Sequence, residues 1–260
     1  MKNLFLTFTI LTFITVGLSA QSESDFDTII NSDGKSIKIN KYYGNATTVK
    51  IPDKIKNLPV TIISGFDHSD SITSVVIPNS VTIIGFGAFF SSNLSSVTIP
   101  NSVTSIEYFA FSNTSLTSVT VPDSVTSIGE SIFQFCHSLT SVIIGNSVTK
   151  ISNKAFYNCT SLTSVTIGKN VTSIGREAFN GCSSLTNIII PKNVTNIDWG
   201  AFNGCTNLAS VTFQGTIDSK NFVEDSFLFL GDLRSKYLNG GIGTYITSNP
   251  GNLYSIWTKK

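Results

Sequence analysis

Four cysteines are the residues of this chain whose spacing most readily suggests chemistry. Cys136, Cys159, Cys182 and Cys205 follow one another at intervals of 23 residues. In a secreted chain such a set could form disulfides, and thiolates also bind zinc. Equivalent positions in stacked repeats have parallel Cβ vectors, however, which fit the disulfide torsion poorly, and a straight column cannot surround a tetrahedral ion. We therefore expect small buried thiols with no metal and no cofactor, and leave open whether any of them form disulfides.

The groups that could support catalysis are few. His68 and His137 are the two histidines, and neither lies in a metal-binding or nucleophile spacing. The motifs of serine hydrolases, zinc proteases and phosphate-binding loops are absent from the sequence. Carboxylates at Glu107, Glu130 and Glu177 recur along the chain without forming one isolated pair. The sequence therefore predicts a protein that is not an enzyme, with His137 as a surface turn residue.

These residues belong to a repeat, which is written most fully as LTSVTIGKNVTSIGREAFNGCSS from Leu162 to Ser184. Its leading positions are separated by 22 or 23 residues: Ile72, Leu94, Leu116, Leu139, Leu162, Leu185 and Leu208. A period of about 20 to 29 residues opening with L-x-x-V-x-I is typical of leucine-rich repeats. The predicted fold is a β-rich solenoid of the leucine-rich-repeat type, with one parallel strand per coil and short 3₁₀ or helical turns.

Within each repeat, Val and Ile stand two residues apart, so both point to the same side of a strand. The predicted inward pairs are Val49/Ile51, Val75/Ile77, Val97/Ile99, Val119/Val121, Val142/Ile144, Val165/Ile167 and Ile188/Ile190. The following V-T-S-I segment predicts a second short extended piece, and Ala-Phe a single helical or 3₁₀ turn. One core column is predicted from the phenylalanines Phe89, Phe111, Phe133, Phe156, Phe179 and Phe202.

The ends of the chain do not repeat, and we expect them to cap the solenoid. Residues 21–45 contain an Asn-Ser-Asp-Gly turn between apolar segments and predict a β-hairpin cap. Residues 46–215 form the predicted solenoid of about seven coils. Residues 216–260 form the predicted C-terminal capping region, with a short helix near Asp232–Leu238.

Residues 1–20 resemble a cleaved secretory signal peptide. Lys2 precedes an uncharged apolar run, and the small residues Ser19 and Ala20 precede an acidic segment. An uncleaved membrane anchor is the alternative. Removal of Lys2 changes 17 basic and 16 acidic residues to 16 of each, a balance that argues against nucleic acid or an anionic membrane as a partner. We expect a secreted or cell-surface protein with no membrane span after cleavage and leave its oligomeric state open.

Two surfaces are candidates for binding a partner. The outward strand positions form columns of small polar residues that include Thr98, Thr120 and Thr166, although such columns also serve β propensity and solubility. The second surface is the variable pair before Ala-Phe, where the residues that break the repeat are Phe86, Tyr108, Phe109, Arg176 and Trp199. Exposed aromatic and arginine side chains are enriched in binding hot spots, but these could instead cover the loops or caps.

The pattern LTSVTIP-NSVTSIG-xxAF-xxC-xS resembles the BspA-like leucine-rich repeats of bacterial secreted and cell-surface proteins, over about residues 46–215. The resemblance implies adhesion, host-protein binding or coaggregation. The expected function is a non-catalytic binding and adhesion module for a protein or glycan at the cell surface or in the host matrix. The alternatives are a structural spacer without a ligand and, more remotely, ice or lattice binding through the Ser/Thr columns.

Overall fold

The structure is a computed structural model that describes residues 21–227 and 230–260, so the predicted signal peptide of residues 1–20 lies outside the described residues. The strands in chain order are β1 (Phe26–Ile30), β2 (Ile37–Tyr42), β3 (Thr48–Lys50), β4 (Lys54–Ile55), β5 (Leu58–Ile63), β6 (Ser74–Val76), β7 (Ile83–Ile84), β8 (Ser96–Thr98), β9 (Ser105–Ile106), β10 (Ser118–Val121), β11 (Ser127–Ile128), β12 (Ser141–Ile144), β13 (Lys150–Ile151), β14 (Ser164–Thr166), β15 (Ser173–Ile174), β16 (Asn187–Ile190), β17 (Asn196–Ile197), β18 (Ser210–Phe213), β19 (Gly243–Ile246) and β20 (Thr258–Lys259). The helices are α1 (Leu233–Gly240) and three 3₁₀ segments, Glu23–Asp25, Ser219–Asn221 and Glu224–Phe227.

The longer strand of each coil lies on one side of the solenoid, which we call the front face. These strands are β3, β6, β8, β10, β12, β14, β16 and β18, and the paired ones run parallel and in register, as in Val119↔Val142. The two-residue strands form parallel ladders on a second side, such as β7–β9–β11 and β13–β15–β17. The predicted leucine-rich-repeat solenoid with parallel strands is therefore confirmed, and most coils carry a short second strand as well.

The core is a set of columns that follow the solenoid axis. The inward Val and Ile side chains of the front strands are buried, apart from Val97 and Val165, which are partly buried. The six phenylalanines of the predicted column are fully buried, with neighbouring ring centroids 5.1–5.6 Å apart and interplanar angles of 8–16°. Phe66 and Phe227 extend this stack at its two ends. Each ring is desolvated by the coils above and below it, so one coil could not form this core alone.

The segment around Ala-Phe, which we call the turn ribbon, differs from the helical or 3₁₀ turn that the sequence suggested. Each ribbon segment contains two residues with positive φ, four positions apart, such as Phe109 (58°) and Asn113 (54°). One backbone N–H closes a local turn, as Ala110 does to the Glu107 carbonyl, and the next donates to the following coil, as Phe111 does to the Ile132 carbonyl. A 3₁₀ helix would direct successive N–H groups along its own axis, whereas this alternation joins neighbouring coils.

Both ends of the solenoid are covered. At the first end, β1 and β2 form an antiparallel hairpin, and β2 pairs in parallel with β5. The side chain of Gln21 also pairs with the edge of β3, because its Oε1 accepts from the Lys50 N–H at 2.6 Å and its Nε2 donates to the Thr48 carbonyl. At the other end, β19 adds antiparallel to β18, and β20 to β19. Among the described residues, no helix has the length and apolar character needed to cross a membrane.

Candidate binding surfaces

The four cysteines occupy one buried column and are free thiols. Each Sγ donates to a phenylalanine carbonyl of the preceding coil, as Cys136 does to Phe111 at 3.1 Å and Cys205 to Phe179 at 3.2 Å. Burial raises the pKa of Cys136 to about 11 and that of Cys205 to about 12. The thiols are therefore neutral at physiological pH and unsuited to nucleophilic or metal chemistry.

The two histidines and Glu107, which were considered as possible catalytic groups, do not form a cluster. His68 and His137 are both exposed, and His137 contacts the Thr160 hydroxyl at 3.3 Å. Glu107 Oε2 accepts from the Phe86 N–H at 2.8 Å, one coil away. In residues 21–227 and 230–260, no group of three or more His, Cys, Asp or Glu side chains could hold a metal ion. The contact of Glu107 joins its turn to that of the preceding coil.

The three predicted threonines lie on the front face with exposed side chains. Thr98, Thr120 and Thr166 stand on β8, β10 and β14, beside shallow depressions at the ends of the front strands. Ile143 lies between Thr120 and Thr166 in the register and is itself exposed. The apolar side chain of Ile143 thus interrupts the hydroxyl column, which disfavours recognition of a regular lattice.

The five predicted ribbon residues separate into two groups. Phe86 and Phe109 pack edge to face, with centroids 5.9 Å apart and an interplanar angle of 71°. Arg176 places its guanidinium 4.7 Å from the centroid of the Trp199 ring. Three coils separate Phe109 from Arg176, which corresponds to about 14 Å at the usual strand spacing. Tyr108 lies beside the first group and is half exposed.

The first group forms part of a groove between the N-terminal cap and the first coils, which we call the cap groove. It has a volume of about 560 Å³. Its lining combines the aromatic side chains of Phe86, Phe90 and Phe109 with the polar side chains of Lys38, Asp67 and His68. The His68 ring meets Phe90 edge-on, with centroids 5.3 Å apart. Sequence reasoning did not select Phe90, although it breaks the repeat where later coils have Ser112, Gln134, Tyr157, Asn180 and Asn203.

Phe109 holds its place in the groove with a strained backbone. Its φ of 58° lies in the left-handed region, where a bulky residue is uncommon. The equivalent positions in other coils also have positive φ and are occupied by Gly87, Ser131, Lys154, Glu177 and Gly200. The fold imposes the conformation at this position, and glycine meets it without a steric cost. A phenylalanine here carries a penalty of about 1–2 kcal/mol that its ring must offset.

The second group is largely paired within itself. Glu177 lies 3.4 Å from Lys154 Nζ and 3.8 Å from Arg176 Nε. Lys154 also lies over the ring of Tyr157 at 5.6 Å. Two cations share one carboxylate, so this group carries one excess positive charge, and each cation also lies over an aromatic ring.

A third exposed group lies at the C-terminal end and carries no sequence signal. Leu253, Tyr254 and Ile256 point outward, and Tyr254 is 85% exposed. The neighbouring Ser255 and Trp257 are buried, and the backbone N–H of Trp257 donates to Asp232 Oδ1 at 2.8 Å. These residues lie outside the repeat, so no consensus exists against which their exposure could have been recognised.

The stacked parallel strands and the buried leucine, phenylalanine and cysteine columns define a leucine-rich-repeat solenoid protein. The family model for the BspA type leucine-rich-repeat region matches the chain in overlapping segments, residues 21–138, 63–185 and 126–245. The chain belongs to this BspA-type leucine-rich-repeat family. No curated protein matches it.

Several solved structures are similar to this chain. The leucine-rich-repeat protein TpLRR of T. pallidum is 24% identical, with 74% of this chain and 71% of that one covered and a TM-score of 0.38. A leucine-rich cell surface protein of Faecalibacterium prausnitzii is 22% identical, with coverages of 74% and 88% and a TM-score of 0.30. The pneumococcal vaccine antigen PcpA is 19% identical, with coverages of 81% and 71% and a TM-score of 0.35.

Proposed function

We propose that the protein is a secreted or cell-surface binding and adhesion module that recognises a protein or glycan partner and performs no catalysis. In this proposal residues 1–20 are a cleaved signal peptide, residues 46–215 carry the binding surface, and residues 21–45 and 216–260 are caps. Membership of the BspA-type family and the uncharged apolar segment at the start of the chain support an extracytoplasmic location.

The observation that carries the proposal is the exposure of repeat-breaking aromatic residues on the turn ribbon. Phe86 is 65% exposed and Tyr108 is 51% exposed, at a repeat position where the next three coils carry the polar residues Glu130, Asn153 and Arg176. Exposed aromatic side chains next to one another lower the solubility of a protein, and they supply most of the binding energy in many interfaces. Their concentration on one end of the ribbon favours a partner there.

The competing function is a structural spacer, and threonines next to the front strands support it. Thr73, Thr140 and Thr163, which immediately precede β6, β12 and β14, each donate a side-chain hydrogen bond to a backbone carbonyl of the preceding coil. These hydroxyls therefore have a role in joining coils. A spacer needs only this stability. The spacer hypothesis therefore predicts that replacing the ribbon aromatics leaves cell attachment unchanged.

The test is surface plasmon resonance with the purified protein over immobilised fibronectin, collagen and mucin. Saturable binding to at least one of these surfaces, absent on an albumin-coated channel, is the expected result. Equal signals on all four channels would contradict the binding function and leave the spacer as the better account. Cell fractionation gives the location: the protein is expected in the medium or on protease-accessible surface, with an N-terminus at Gln21.

A further inference from the structure

We propose that the cap groove binds a neutral oligosaccharide. The inference rests on the proposed binding function and assigns it a ligand class and a place. The groove volume of about 560 Å³ falls within the usual range of small-ligand sites, about 300–1,000 Å³. A short oligosaccharide fits a site of this size.

The lining of the groove combines aromatic and charged side chains, and this combination argues for a sugar. Phe86, Phe90 and Phe109 supply aromatic surface, and Phe86 is exposed enough to leave part of its ring uncovered. Lys38 and Asp67 supply a donor and an acceptor. A pyranose ring has an apolar C–H face and an edge of hydroxyl groups, so it can stack on a phenylalanine while its hydroxyls bond to the polar groups.

The charges around the groove argue against an anionic ligand. Lys38 is a cation, the Asp67 carboxylate lies 4.0 Å from His68 Nε2, and a second carboxylate, Glu107, accepts from the Phe86 N–H. These charges leave no positive field that would select a sulfated or phosphorylated ligand. A neutral molecule with both donors and acceptors satisfies both Lys38 and Asp67 at once.

The same polar groups argue against an apolar peptide side chain. Covering Lys38 and Asp67 with an aliphatic or aromatic anchor would remove water from both without replacing its hydrogen bonds, which is unfavourable. Sugar hydroxyls can replace those hydrogen bonds. A site that hydrogen-bonds a ligand hydroxyl also discriminates strongly against analogues without one.

The residue type at position 109 supplies a further indication that the groove binds a ligand. The fold imposes a left-handed backbone at this position in the coils of the repeat, and glycine meets it in two of them, Gly87 and Gly200. A bulky ring at such a position is unfavourable for the backbone, so its presence points to a use for the ring itself. Here the retained ring packs against both Phe86 and Phe90, at centroid distances of 5.9 and 6.4 Å.

The experiment is saturation-transfer difference NMR of the purified protein with five neutral probes: maltotetraose, cellotetraose, xylotetraose, tetra-N-acetylchitotetraose and lacto-N-tetraose. At least one probe is expected to bind. Phe86→Ala and Asp67→Ala are each expected to weaken that binding at least about tenfold, as loss of a hot-spot residue does. Phe86→Trp is expected to retain it, because the larger ring keeps the stacking surface.

The matched control is Tyr254→Ala, which removes a still more exposed ring at the far end of the chain. Binding is expected to be unchanged in this variant. The proposal is overturned if no probe binds, if binding survives both groove substitutions, or if the apolar dipeptide acetyl-Leu-Phe-amide binds more tightly than every sugar. If only the sugar test fails while binding to fibronectin, collagen or mucin persists, the binding function stands and the glycan assignment falls.

Discussion

Cys136 and Thr114 direct their side chains to the same backbone oxygen. The Cys136 Sγ donates to the Phe111 carbonyl at 3.1 Å, and the Thr114 Oγ1 donates to it at 2.9 Å. Thr114 occupies in its own coil the position that Cys136 occupies in the next, and Ser92 occupies it one coil earlier with a bond to Phe89 at 2.8 Å. The cysteine column therefore continues a hydroxyl column, and its function is to satisfy turn carbonyls.

Burial of this column predicts that the four thiols are protected in the native protein. At pH 8 the reagent DTNB should label none of them, and all four should react at once after unfolding in guanidinium chloride. The reason is that desolvation keeps each thiol in its neutral form. Stoichiometric labelling of the native protein would contradict the burial.

The raised pKa of the buried thiols predicts a loss of stability at alkaline pH. Burial raises the pKa of Cys136 from an ordinary value near 9 to about 11, so the folded state holds its proton more tightly than the unfolded state. The resulting stability is fully present below pH 9 and is lost as the pH rises toward 11. Thermal unfolding followed by circular dichroism should show the melting temperature falling across this interval.

A variant in which serine replaces all four cysteines should flatten part of that pH profile. Buried tyrosines titrate in the same region, and burial raises the pKa of Tyr237 and Tyr245 as well. If the melting temperature of the serine variant falls as steeply with pH as that of the wild type, the whole effect belongs to the tyrosines and the role of the thiols is contradicted.

Phe109 and Phe111 are two residues apart and should respond very differently to substitution. Phe111→Ala removes a fully buried ring from the central stack and should lower the free energy of unfolding by about 3–5 kcal/mol. Phe109→Asn should change it by less than about 1 kcal/mol, because relief of the left-handed strain offsets the lost ring contacts. Urea unfolding measures both values. Equal losses would mean that Phe109 is a core residue.

The repeat explains why the central fold could be predicted. Val119, Val142 and their equivalents lie at strand spacing and face inward, and the phenylalanine column follows directly from a constant period. The conformation of the ribbon could not be predicted, because Gly87, Phe109 and Lys154 share a positive φ without sharing a residue type. The backbone of neighbouring coils, through its hydrogen bonds, determines it.

The candidate site could be predicted only in part, for a similar reason. Phe86 and Phe109 break the repeat and were recognisable, whereas Lys38 and Asp67, which also line the groove, belong to the cap and the first irregular coil. No spacing in the sequence relates these segments. Their approach depends on how β2 pairs with β5, a long-range contact.

The Arg176–Trp199 contact predicts a fluorescence change. Arg176→Ala should increase quenching of Trp199 by acrylamide, because the guanidinium no longer covers one ring face. The other tryptophan, Trp257, is fully buried and should contribute little to the quenching. Arg176→Lys is the matched control that keeps the charge and loses the planar stack, so it should give an intermediate value. Identical quenching in all three proteins would show that the stack does not persist in solution.

The central claim is that the turn ribbon, and not the front face, recognises the partner. It is tested most directly by surface plasmon resonance on whichever of fibronectin, collagen or mucin the protein binds, with two triple variants. Phe86→Ala/Tyr108→Ala/Trp199→Ala removes exposed or partly exposed ribbon rings, and Thr98→Ala/Thr120→Ala/Thr166→Ala removes three exposed front-face hydroxyls. We predict at least about a tenfold loss of affinity for the ribbon variant and none for the front-face variant. Unchanged affinity of a folded ribbon variant would contradict the account.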